Sequence, residues 1–180
     1  MEQVEFPTKK FLLMGLDNSG KTSICLNFRK NTNLLSYLSL RPTRKVNIER
    51  FKVQEKDLSI WDFGGQKAFR EEYLQNLPKY LSEVEKIIYV IDVQAIERYE
   101  ESLEYLDGII TKMNEVNIRK DFTIFLHKYD PFITTKEEFK DIDTIIEKRL
   151  VSRIRELIPK NLDYNIFKTC IFTSFKKISV

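Results

Sequence analysis

Glycine is scarce in this chain of 180 residues: there are five, against the roughly 7% of an average protein. Histidine occurs once (His127), tryptophan once (Trp61) and cysteine twice, as Cys25 and Cys170. One histidine excludes multi-histidine zinc centres and leaves a single candidate for any catalytic triad. Two cysteines exclude a disulfide framework, and their apolar neighbours imply reduced, buried thiols of a cytoplasmic protein. Long apolar runs are lacking too. None approaches the ~18 residues of a membrane span, and the start MEQVEFPTKK carries no signal-peptide core. Glu2 excludes N-myristoylation and the KISV terminus holds no prenylatable cysteine, so no direct lipid anchor is expected. Any membrane recruitment would run through partners. Thirty basic against 27 acidic residues give a net charge of +3, too balanced to argue for nucleic acid.

What remains is the material of a folded domain. At 42% hydrophobic and 32% charged, the chain can build a core and a solvated surface. No repeat, low-complexity tract or linker divides it, so residues 1–180 read as one domain. Apolar runs near 10–15, 86–93, 121–126 and 165–172 have the continuity of strands buried on both faces. VNIERFKVQEKDLSIW, at 46–61, reads as two strands joined at Glu55-Lys56-Asp57, a hairpin. Tyr99, Leu103, Leu106, Ile110 and Met113 recur at helical spacing. Thr134 with Glu137 makes a capping-box start for a helix running to about Ile158, which Pro159 stops. Strands alternating with helices predict the α/β class, with a mostly parallel sheet and ligands at the carboxyl ends of its strands.

Four of the five glycines fall into two clusters. Gly15-Leu16-Asp17-Asn18-Ser19-Gly20-Lys21-Thr22 follows an apolar strand and opens a helical run. It matches G-x-x-x-x-G-K-[ST], a loop whose backbone amides wrap phosphates while a helix N-terminus adds its dipole. Asp17, Asn18, Ser19, Gly20, Lys21, Thr22 and Ser23 are therefore nucleotide-binding candidates. Lys21 reaches the β- and γ-phosphates, and Thr22 is a Mg²⁺ ligand. That loop alone leaves GTPase, ATPase and nucleotide kinase open. The second cluster, Trp61-Asp62-Phe63-Gly64-Gly65-Gln66, ends another strand. Asp62 can hold Mg²⁺, Gly65 can offer an unhindered amide to a γ-phosphate, and Gln66 can orient the attacking water. At a third strand end stands His127-Lys128-Tyr129-Asp130. The Asp130 carboxylate can accept from guanine N1–H and N2–H₂, which adenine lacks. The Lys128 stem can cover the base, and His127 is expected to hydrogen-bond within the loop. Arg41 and Arg44 read as a solvated basic face. Gly108, inside a helical pattern, reads as a point of close helix packing.

With these motifs in order, the chain resembles the Ras-like small GTPases, and within them the Arf/Arl and Rag/Gtr branches. GLDNSGKT resembles the Arf-type phosphate loop, and WDFGGQ the WDxGGQ of both branches. Pro42-Thr43 before VNIE resembles the Arf switch I, which implies Thr43 as a Mg²⁺ ligand. HKYD is similar to the HKxD of Rag proteins. Thr173-Ser174-Phe175 resembles the guanine-capping loop, which implies base contacts near Ser174 and Phe175. The resemblance implies a P-loop NTPase fold, a three-layer α/β/α sandwich around a mostly parallel six-stranded sheet. It implies GTP/GDP and Mg²⁺ as ligands and slow hydrolysis of GTP by Gln66 and Lys21. Exchange factors, activating proteins and effectors are the implied partners, with switches at about 32–45 and 64–80. A Rag-like subunit acting mainly as a nucleotide-dependent binding module is the second reading. Only residues 175–180 follow Ser174, so the family's C-terminal helix is expected to be missing. The sheet face left open would be an interface for a homo- or heterodimer partner.

Overall fold

The computed structural model describes residues 8–30, 32–53 and 56–174. Strands β1 (Lys9–Met14), β2 (Val46–Val53), β3 (Lys56–Phe63), β4 (Val84–Asp92), β5 (Asp121–His127) and β6 (Tyr164–Lys168) form one sheet, in the order β2-β3-β1-β4-β5-β6. Every neighbouring pair is parallel except β2 and β3. The continuous apolar runs explain this: Leu12, Leu13 and Met14 of β1 are all fully buried, so both faces of the strand are covered. The β2–β3 ladder runs from Val46↔Phe63 to Val53↔Lys56. Lys56 and Asp57, read from the sequence as part of the turn, therefore belong to β3.

Strand β6 also departs from expectation, ending at Lys168 rather than near 172. Thr169 N–H donates to the Leu126 carbonyl at 2.9 Å, and the chain then leaves the sheet. Cys170 is consequently exposed, which corrects the expectation that both thiols are buried. Cys25 is buried, and burial pushes its thiol pKa up.

The helices are α1 (Lys21–Leu26), α2 (Leu34–Leu38), α3 (Lys67–Tyr80), α4 (Tyr99–Glu115), α5 (Ile142–Ile146) and α6 (Ser152–Leu157). A π-turn over Glu147–Val151 joins the last two. Tyr99, Leu103, Leu106, Ile110 and Met113 of α4 are buried, as their spacing predicts. A β-carbon on Gly108 would lie 3.0 Å from Leu74 of α3, so this glycine does mark close packing. The expected capping box does not start a helix. Lys136 is extended (ψ 131°) between two short 3-10 turns, and regular helix begins only at Ile142. Helix α2 is unforeseen. Asn33 and Ser36 cap its start reciprocally, while Leu35 and Leu38 stay exposed.

One sheet face packs Leu12, Ile87, Tyr89 and Ile124 in the core that α3, α4 and α6 complete. The other buries Leu13, Ile60 and Val90 with Cys25 of α1. On that side Phe125 and Phe167 meet edge to face at 6.3 Å, and Phe167 is 51% exposed. Among the described residues no helix covers this corner. The carboxyl ends of β1, β3, β4 and β5 lie along one edge, which gathers the loops of interest.

Candidate nucleotide-binding site

Residues 15–20 turn from β1 into α1 through backbone states that most side chains resist. Asn18 is left-handed (φ 58°), and Gly20 sits at φ 94° with its Cα against the His127 ring. A β-carbon on Gly20 would lie 2.4 Å from His127 Cδ2, so glycine is required there on both counts. Lys21 folds back over the loop: its Nζ donates to the Leu16 carbonyl at 2.5 Å, and the residue is 5% exposed. Burial lowers its pKa to about 8, against the opposing pull of Asp62 and Asp17. The loop, α1, Pro42-Thr43 and residues 63–66 enclose a cleft of about 360 Å³.

Three oxygen-bearing side chains from three separate elements converge at one wall of the cleft. Thr22 Oγ1 donates to Asp62 Oδ2 at 2.7 Å, and Thr43 Oγ1 donates to the same oxygen at 3.0 Å. The two hydroxyls are 2.9 Å apart. Asp62 has no exposed surface, and its second oxygen, Oδ1, is buried without a partner. Burial raises its pKa, while bonds from Thr22 and Thr43 and the charge of Lys21 work against the shift. A buried carboxylate with a free oxygen beside two hydroxyls suits a small, hard divalent cation. No cluster of three His, Cys, Asp or Glu side chains occurs among the described residues. The donor set thus suits a cation that shares its coordination with phosphate and water.

Gly65 lies against the phosphate loop. A β-carbon there would fall 2.0 Å from Asp17 N and 2.1 Å from Leu16 C. Gln66 follows at the N-terminal boundary of α3, extended (ψ 140°) and lining the cleft.

The His127-Lys128-Tyr129-Asp130 loop is held by residues at the end of β4, after β4 and after β6. Lys128 is left-handed (φ 61°) and pairs with Asp92 at 2.7 Å. Gln94 Nε2 donates to the Lys128 carbonyl at 2.7 Å and to Asp130 Oδ2 at 2.8 Å, which fixes the plane of that carboxylate. His127 is buried, with its Nδ1 at 2.9 Å from Thr169 Oγ1. Burial and the neighbouring Lys128 charge lower its pKa, which keeps the imidazole neutral. Its partner is therefore on β6's extension and not in its own loop. Thr169 also accepts from Tyr129 N–H at 3.0 Å. Ser174 is exposed, and Thr169, not Ser174, makes the hydrogen bonds to this loop. Phe175 lies outside the described residues.

A tight glycine-bounded turn into a helix, a buried carboxylate met by two hydroxyls and a second, braced carboxylate thus lie at the carboxyl ends of the strands. The Gtr1/RagA G protein conserved region matches residues 10–175 of the chain. The chain belongs to that family. It is a small GTP-binding switch protein. ADP-ribosylation factor-like protein 2 of Dictyostelium discoideum is 35% identical over 136 residues, 74% of this chain and 68% of that protein. ADP-ribosylation factor-related protein 1 of Homo sapiens is 37% identical over 105 residues, 56% of this chain and 50% of that protein. Among solved structures, the Arl6 small GTPase of Trypanosoma brucei with bound GppNp superposes at a TM-score of 0.67. It is 20% identical, and the superposition covers 91% of this chain and 87% of that one.

Several residues of this G protein's site lie outside the sequence motifs. Asp92, Gln94 and Thr169 support the 127–130 loop, and Arg98 grips Asp17 of the 15–20 loop. Asp92 ends β4, a position that could have marked it, whereas Thr169 follows β6 inside an unbroken apolar run. Gln94 and Arg98 carry no signal beyond following β4. Arg41 and Arg44 are exposed, as expected of a solvated face. No helix of the described residues is long and apolar enough to cross a membrane.

Proposed function

We propose that this protein is a single G domain over residues 1–180 that hydrolyses GTP to GDP and phosphate with Mg²⁺. The observation that carries the reading is the convergence of Thr22, Thr43 and Asp62 on one point beside Lys21. Residues 15–23 bind the phosphates through Asp17, Asn18, Ser19, Gly20, Lys21, Thr22 and Ser23. Thr22, Thr43 and Asp62 hold Mg²⁺, whose charge neutralises the phosphoryl oxygens. Gly65 faces the γ-phosphate, and Gln66 orients water. Asp130 reads guanine and the Lys128 stem covers the base, with His127 bracing their loop.

Slow intrinsic turnover is expected, because an arginine from an activating protein is worth roughly 10³–10⁵ in rate; of the switch I arginines, Arg44 is exposed and Arg41, also exposed, borders the cleft. Exchange factors and effectors complete the cycle in the cytoplasm, and membranes are reached through partners. Gln66→Leu is expected to bind GTP normally and to lose single-turnover hydrolysis on the order of 100-fold. Unchanged phosphate release in that variant removes Gln66 from the mechanism. The same assay separates a turning-over switch from a Rag-like binding module, which releases none.

Base choice is tested by competition. ATP is expected to displace a fluorescent guanine nucleotide at least about 10⁴-fold less well than GTP, because adenine leaves Asp130 unpaired. Equal competition would overturn the guanine assignment and favour an ATPase or nucleotide kinase. The open corner at Phe125 and Phe167 supports association with a partner or a second copy through that face. A monodisperse monomer by light scattering at high concentration counts against self-association.

A further inference from the structure

Four ionised side chains from three parts of the fold form a continuous chain beside the cleft. Asp17, in the phosphate loop, is held by two bonds from one guanidinium. Arg98 Nη2 donates to Asp17 Oδ1 at 2.8 Å, and Nη1 donates to the Asp17 carbonyl at 3.1 Å. The same Arg98 donates through Nε to Glu101 Oε2 at 3.1 Å. The other oxygen of Glu101, Oε1, accepts from Arg70 Nη2. Arg70 stands in the first turn of α3, within switch II, and its side chain is only 10% exposed. Its guanidinium lies 5.5 Å from the Tyr105 ring centre, and its Nε is buried without a partner.

Glu101 thus divides its two oxygens between the arginine that grips the phosphate loop and the arginine that anchors switch II. Its footing is firm. The start of α4 is tied to β4 by Tyr89 Oη donating to the Ser102 carbonyl at 2.7 Å and by Tyr99 Oη donating to the Val93 carbonyl at 2.6 Å. A carboxylate on a fixed element, shared by two loops that hold nucleotide, can transmit the position of one to the other. A buried guanidinium that loses its carboxylate is costly, so the shared pairing is strongly preferred. Arg98's planar fork fixes the Asp17 backbone as well as its side chain, which lysine cannot do.

We propose that Asp17, Arg98, Glu101 and Arg70 form a relay that couples switch II to the phosphate loop, with Glu101 as its joint. Arg98, Glu101 and Arg70 are positioning residues, and the relay rests on the GTP-switch reading for its purpose. When switch II moves on loss of the γ-phosphate, Arg70 leaves Glu101 and Arg98 is freed to turn toward it. Asp17 then loses its clamp and GDP is held less tightly. None of these three residues belongs to the nucleotide-reading motifs.

The test is a double-mutant cycle on the full chain. Arg70→Ala and Arg98→Ala are made singly and together, and release of a fluorescent GDP is timed. If the relay exists, each single variant speeds release about fivefold, and the double departs from the product of the two by about threefold or more. Repeated with Glu101→Gln, the departure vanishes. Independent, multiplicative effects with Glu101 intact overturn the relay. Arg70→Lys and Arg98→Lys keep charge without the fork and replace the alanine variants if those unfold.

Hydrogen exchange without nucleotide gives a separate readout. Arg70→Ala should raise exchange at the amides of residues 15–20, and unchanged exchange there overturns the relay. A chain that shows this exchange change but never holds GDP leaves the relay standing and sinks the GTP reading.

Discussion

A Lys21→Ala variant is expected to lose affinity for GTP by about a thousandfold and yet to fold about as stably as the parent chain. Lys21 is buried over the phosphate loop, and its ammonium is held down to about 8 by loss of water. In the nucleotide-free protein that buried charge is a cost, offset in part by Asp62 and Asp17 and by the bond to the Leu16 carbonyl. Alanine relieves the cost but leaves the carbonyl without its donor, so the change without nucleotide stays within about 1 kcal/mol. With GTP the balance reverses. The cation meets phosphate oxygens in a site that excludes water, and truncating one partner of such a pair costs about 2–5 kcal/mol. Titration with a fluorescent GTP and thermal melts with and without nucleotide measure the two effects separately. An affinity loss below about tenfold would show that Lys21 is a structural residue of the loop.

Gly65→Ala is the second large effect, expected to reduce hydrolysis on the order of 1,000-fold while GDP affinity changes little. The added carbon would meet the Leu16–Asp17 peptide at 2.0–2.1 Å, and backbone cannot step aside as a flexible side chain can. The segment after β3 must therefore lift from the 15–20 loop, taking with it both the Gly65 amide and Gln66, the residue proposed to orient water. Loss of two transition-state contacts exceeds the loss expected from Gln66→Leu alone. Single-turnover phosphate release, with GDP affinity as the control, reads the difference. Hydrolysis at the parent rate would mean that Gly65 does not approach the γ-phosphate.

Which parts of this site can be read from sequence follows from how each is built. The phosphate loop and WDFGGQ are contiguous, so their chemistry shows in the order of residues before any fold is known. The cation wall is intermediate. Thr22, Thr43 and Asp62 come from three segments, and the family resemblance, not spacing, brings Thr43 to the other two. Thr169 illustrates what stays hidden. The apolar run from 165 to 172 looks like one uninterrupted strand, whereas pairing with β5 stops at Leu126↔Lys168. The turn of the chain at Thr169, rather than the Thr173-Ser174 pair, then meets the His127 loop. The same early end leaves Cys170 in solvent against its apolar neighbours in sequence. Thr134 and Glu137 have a helix-start signature, yet Phe132 is left-handed (φ 64°) and Lys136 extended, and only short 3-10 turns form there. Arg70, Arg98 and Glu101 look like ordinary surface charges of amphipathic segments until packing of α3 against α4 brings them together.

The His127 ring has a consequence for how affinity is divided. It stands against Gly20 at one side and is tied to Thr169 at the other, so the 15–20 and 127–130 loops are braced together. If a nucleotide binds across both loops as proposed, the brace makes them act on it as one unit. Damage at Thr169 or His127 should weaken GTP and GDP by the same factor. The preference between the two nucleotides is left entirely to the parts that are not braced.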